Sequence, residues 1–131
     1  GIFNQFYAQV SDNGTLAGIF GYMLPVRSGV IKKVSVLTEN TDANNMTIKK
    51  WDVPLSEWDT DPGASATFNV LFQAAPVAST VQASPSPISG GGFGWGGTIS
   101  AGRKYMFSLD HVAATNNIGR LQVVMEIEWD V

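Results

Sequence analysis

The run Leu121-Gln122-Val123-Val124-Met125-Glu126-Ile127-Glu128-Trp129-Asp130-Val131 repeats with a period of two. Leu121, Val123, Met125, Ile127, Trp129 and Val131 fall on one side of an extended chain, and Gln122, Val124, Glu126, Glu128 and Asp130 on the other. A helix would scatter the same apolar residues around its circumference. The run therefore predicts a long strand with one buried and one wet face.

The same reading extends outward. Tyr105, Phe107 and Leu109 face inward in a second strand, with Lys104, Ser108 and Asp110 outward, entered through the turn Ala101-Gly102. Phe68, Val70 and Phe72 stand against Thr67, Asn69 and Gln73 in a third, preceded by Asp61-Pro62-Gly63, where Pro fixes φ and Gly accepts a positive one. Residues 30–38 are rich in β-branched residues. In residues 46–53, Met46 and Ile48 fit one face while Trp51 and Val53 fit the other, so a β-bulge near Lys49-Lys50 is expected to turn both pairs inward. Ile2 to Val10 reads as a strand closed by Asp12-Asn13-Gly14, and residues 16–26 carry strand-like runs interrupted by Gly18 and Gly21. No window holds a sustained helical stripe; only Val53–Asp59, with Pro54 as a first helical residue, suggests a short turn of helix.

Residues 74–97 stand apart. Pro76, Pro85 and Pro87 precede Gly90-Gly91-Gly92-Phe93-Gly94-Trp95-Gly96-Gly97. Pro lacks the ladder donor and Gly packs nothing, so this segment is no central strand. It reads either as a crossover loop between two sheets or as an arm whose Phe93 and Trp95 anchor on a neighbour. About eight strands separated by Gly, Pro, Asn and Asp turns predict an all-β fold, an antiparallel β-sandwich of jelly-roll type, in one domain over residues 1–131.

Composition narrows the function. With 131 residues and 44% apolar content, the chain can fill one core. A net charge of −3 and basic residues scattered apart from Lys32-Lys33 and Lys49-Lys50 give no footprint for nucleic acid. No stretch reaches membrane-spanning length, and no signal peptide is expected. With no cysteine, disulfides and thiolate metal sites are excluded.

The chemistry-bearing residues are few. His111 is the single histidine; in a strand its neighbour Asp110 faces the opposite side, so it reads as a strand-end histidine near the surface. Glu126 and Glu128 share a strand face about 6–7 Å apart, which geometry alone permits for acid/base work, but the same pattern is any solvated strand exterior. Asp59-Thr60-Asp61 with Glu57 could offer oxygens to calcium, yet lacks the spacing of a calcium loop and precedes a turn that already accounts for it. Trp129 and Trp51 are assigned to the core; Trp58 and Trp95 are candidates for sugar stacking or subunit contact. No catalytic residue, metal site or cofactor follows, and the chain is expected not to be an enzyme.

Three features together resemble a recurring pattern in small virion proteins of tailed bacteriophages. They are the segment Pro25-Val-Arg-Ser-Gly29-Val-Ile-Lys-Lys-Val-Ser-Val36, the segment Ile99-Ser-Ala-Gly-Arg-Lys-Tyr-Met-Phe-Ser-Leu109, and the long alternating terminal strand. The position after Gly102, often acidic in that pattern, is Arg103 here. The resemblance implies a capsid decoration (cement) protein or a tail-fibre tip, often homotrimeric, in the virion and assembled in the host cytoplasm. Its partners would be its own copies and the major capsid protein or other virion proteins. On that reading the segment Ile2–Tyr7 and the arm 76–95 are expected to supply apolar anchors, Phe3, Phe6, Phe93 and Trp95. The alternative is a glycan- or receptor-binding jelly-roll module using Trp58 or Trp95.

Overall fold

The computed structural model describes residues 2–11, 15–57, 66–84, 97–112 and 118–130, with side chains described from Gly18 onward apart from Ser84 and Val112. Nine strands follow in order: β1 Ile2–Ser11, β2 Thr15–Met23, β3 Gly29–Thr38, β4 Met46–Val53, β5 Thr67–Ala74, β6 Gln82–Ser84, β7 Thr98–Ile99, β8 Lys104–Val112 and β9 Arg120–Trp129. Among the described residues there is no helix. The turn of helix expected at 53–59 is a hydrogen-bonded turn, in which Glu57 N–H donates to the Pro54 carbonyl at 3.0 Å; Trp58 and Asp59 lie outside the described residues.

The pairing is that of a long two-stranded ribbon rolled up on itself. β1 pairs with β9, β2 with β8, β3 with β6 and β7, and β4 with β5, all antiparallel. Rolling then brings β9 against β3 and β8 against β4. One sheet runs β1-β9-β3-β6 with β7 also on β3, the other β2-β8-β4-β5. Eight strands so arranged, with β7 as a two-residue addition, form a jelly-roll sandwich.

The core lies between the sheets. Leu121, Val123, Met125 and Ile127 of β9 meet Phe107 and Leu109 of β8, Met46 and Ile48 of β4, and Leu71 and Phe72 of β5. Burying each such side chain fully contributes about 1.5–3 kcal/mol. On β3 the buried set begins with Ile31 and resumes at Val34 and Val36, because Lys32 is an extra residue against β9 that leaves Lys32 and Lys33 both exposed.

Two sequence assignments are corrected by one bulge. The extra residue lies not in β4 but in β5, where Leu71 sits between the pairs Ile48↔Phe72 and Lys49↔Val70. β4 keeps unbroken alternation against β8, so Trp51 stays on the outer face, opposite Met106 and Phe68. Leu71 and Phe72 both enter the core, and the parity of β5 reverses before them. Phe68 and Val70 thereby pass to the face of β5 that carries Trp51 and Lys49, where Phe68 is half-buried and Val70 is buried, as expected, at 5% exposure. There Trp51 and Phe68 pack at 4.7 Å between ring centroids, Trp51 Nε1 donates to Ser108 Oγ at 2.8 Å, and the Lys49 ammonium lies over both rings.

At Gly29 β3 lies tight against β9: a Cβ there would meet the Glu128 carbonyl oxygen at 2.6 Å and Trp129 Cε3 at 2.8 Å. At Gly18 an added Cβ would meet nothing within 4 Å. Gly29→Ala is expected to lower unfolding stability by about 1–3 kcal/mol, and Gly18→Ala to change it by less than about 0.5 kcal/mol. Urea denaturation of the two variants checks the contrast; equal effects would contradict the close approach.

Candidate functional site

Most of the strands have a terminus at one end of the sandwich. β2, β4 and β7 finish there, β1, β3, β5 and β8 begin there, and β9 terminates at Trp129 opposite Gly29. The stem formed by residues 97–102 threads through this end and is held at nearly every step. The Gly97 carbonyl accepts from Ile31 N–H at 2.7 Å. Thr98 and Ile99 pair with Val30 and Gly29. Ser100 N–H donates to the Tyr105 hydroxyl at 2.9 Å, Ala101 N–H to Ser28 Oγ at 3.0 Å, and Gly102 N–H to the Pro25 carbonyl at 3.0 Å.

The deepest of these ties comes from a lysine. Lys50 is only 4% exposed and points inward from β4; its ammonium donates to the Thr98 carbonyl and lies 5.2 Å from the centre of the Tyr105 ring. It thus reaches from one sheet to the edge of the other. Burial pushes its pKa below the ordinary lysine value of 10.5, while the Asp52 carboxylate works in the opposite sense. Asp52 itself receives a two-pronged bond from Arg103, Nε at 3.2 Å and Nη2 at 2.8 Å.

Residues 82–84 form the other stem. Ser84 stands opposite Val34, and Gly97 lies beside Ile31, so both stems run along one edge of β3 with only Lys32 and Lys33 between them. The described chain thus stops at Ser84 and resumes at Gly97 along the same edge of β3, opposite the β3 bulge. Gln82 locks the first stem: its Nε2 donates to the Ala75 carbonyl at 3.0 Å, and its Oε1 accepts from Val77 N–H at 3.1 Å. The segment set apart in sequence as 74–97 thus divides into edge strands tied to the sandwich and an excursion of twelve residues.

Exposed apolar side chains stand among charged ones at the end of the sandwich that the 97–102 stem threads. Leu24, Val26 and Leu55 are exposed, Val26 at 98%. Met23, Leu24, Pro25, Val26, Arg27 and Trp129 line an open groove of about 370 Å³. A second groove, of about 420 Å³, runs past Asp52, Leu55, Thr67 and Arg103. Such a patch on the rim of a sandwich is the kind of surface that contacts a partner.

The sequence candidates fall as follows. Phe93, Trp95 and Trp58 lie outside the described residues, as do Asp59 and Asp61. Phe3 and Phe6 belong to β1, where they pair with Glu128 and Met125 of β9 respectively. Glu126 and Glu128 lie on the outward face of β9, with the Lys32 ammonium 4.0 Å from Glu128. His111 is corrected: it is not near the surface but 2% exposed, its Nε2 3.8 Å from an equally buried Asp42 oxygen. Asp42 comes from the loop after β3 and accepts a hydrogen bond from Asn44 N–H at 2.8 Å, whereas Asp110 pairs with Lys49 at 2.7 Å. Among the described residues, no three His, Cys, Asp or Glu side chains are grouped so as to hold a metal ion. Comparison with known protein families, curated proteins and solved structures finds no match to this chain.

Lys50 has a measurable signature. With its folded-state pKa below 10.5, the unfolded chain binds more protons between the two values, so this group's contribution to stability rises as pH climbs through that window. Wild type should therefore gain on Lys50→Met as pH is raised from 7 to 10.5, read by urea denaturation. A stability difference independent of pH would contradict the buried ammonium.

Proposed function

We propose that the protein is a structural virion component, a capsid decoration subunit whose sandwich carries an apolar anchor, residues 85–96 with Phe93 and Trp95, onto the surface of capsid proteins. The observation that carries this reading is the placement of that segment. Twelve residues bridge a gap of two strand positions along β3, so the topology does not require them. Sequence with no topological task, containing two large aromatics and no charge, is most simply explained by what it contacts.

Three further observations support the reading. The foot is fixed by bonds from both sheets, including Lys50, which limits the entropy lost when the anchor docks. The exposed Leu24, Val26 and Leu55 extend an apolar contact zone at the same end of the sandwich. The jelly roll is an architecture that builds capsid domains, an argument by analogy of fold, since lectin domains use it too. Affinity would concentrate in the few aromatics, and repetition over a symmetric shell would multiply it by avidity.

The test replaces residues 85–96 by a two-residue link that makes the β3 edge strand continuous. The variant is expected to melt within a few degrees of wild type and to lose co-sedimentation with capsid shells. Full occupancy of shells by the shortened protein would overturn the proposal. So would wild type that ignores shells but binds a glycan, with loss on Trp95→Ala.

A further inference from the structure

The two sheets have four edges, and three carry a feature that discourages pairing with another chain. The β6 and β7 edge consists of two separate strands of only three and two residues. β2 has an extra residue, Phe20, between the pairs Ile19↔Ser108 and Gly21↔Phe107. β5 has its extra residue at Leu71. Short strands and bulges are what sheets use to blunt an edge, together with charge and proline.

β1 has none of these. It runs for ten residues, Ile2–Ser11, in unbroken register with β9. The sequence Ile-Phe-Asn-Gln-Phe-Tyr-Ala-Gln-Val-Ser contains no charge, no proline and no glycine. Of the first 26 residues of the chain only Asp12 is charged. Among the described residues β1 pairs on one flank alone, so its other flank offers a row of backbone donors and acceptors about 33 Å long.

We propose that this edge is the interface with a second copy of the chain, β1 pairing antiparallel with β1 of the partner across a twofold axis. The occupant is argued from charge and symmetry. An edge without charge pairs with itself and leaves no ion unmatched, whereas a charged strand would find no counter-ion there. An antiparallel pair of identical strands is self-complementary, so the contact closes at two copies and generates no filament. With the axis normal to the sheet, Phe6 meets Phe6 or Tyr7 meets Tyr7. Either register keeps the core-facing side of both sandwiches aligned in one continuous eight-stranded sheet built from two β6-β3-β9-β1 halves. The assembly is a twofold pair rather than the threefold one that the phage resemblance implies, and it does not depend on capsid binding.

Light scattering or sedimentation of the purified chain should give twice the 14.0 kDa chain mass. Gln5→Lys combined with Gln9→Lys sets like charges opposite or diagonal to one another in both registers. It should reduce the mass to that of a single chain while leaving the β-sheet circular dichroism in place. Hydrogen exchange on the wild type gives an independent reading should that variant not fold. A strand paired on one flank protects every second amide, whereas one paired on both protects consecutive amides from Phe3 to Val10. A single-chain or threefold mass across all concentrations, a twofold mass that survives the lysines, or alternating protection along β1 would each overturn the proposal.

Discussion

The double pairing of β9 is the constraint on which the rest of the molecule hangs. Its residues are matched to β1 from Ser11 back to Ile2 and, on the other flank, to β3 from Thr38 back to Gly29. A slip by one residue would carry Leu121, Val123, Met125 and Ile127 from the core to the solvent face, so hydrophobic burial and two ladders enforce one register. β8 does the same in the second sheet between β2 and β4. Because the last two strands insert between earlier ones, the ribbon can close only after distant parts of the chain have met. Such topologies fold slowly for their size.

β9, β8 and the general architecture were legible in the sequence because regular alternation leaves a local trace. The faces of β4 and β5 were not. Trp51 and Phe68 are apolar enough for either side, and the deciding event, one extra residue at Leu71, has no signature in composition. The carboxylate that accompanies His111 was hidden for a different reason. Asp42 lies in the loop after β3, and only the pairing of β4 with β8 brings it near. Lys50 read as part of a basic pair, and the bulge expected at Lys49-Lys50 hid the alternation from Met46 and Ile48 that turns Lys50 inward. The excursion was recognisable from proline and glycine, but its place within one edge needed the partners of Ser84 and Gly97.

Lys50 also illustrates how a polar group can be retained inside an otherwise apolar fold. An ammonium withdrawn from water is costly, and here the Thr98 carbonyl and the face of Tyr105 offset part of that cost. What the contact supplies is specificity: it fixes the short β7 to the opposite sheet, where two residues of ladder would hold it weakly.

The Lys32 bulge and the two stems facing it have a consequence for the history and the engineering of the molecule. Ser84 and Gly97 are both held on one edge of β3, with only Lys32 and Lys33 between their partners, so the scaffold is complete on either side of that stretch. Closure entropy grows only logarithmically, by about 0.6 kcal/mol for each doubling of length. Selection can therefore rewrite, shorten or extend that stretch with little penalty to folding. The same tolerance makes the position a natural acceptor for grafted peptides.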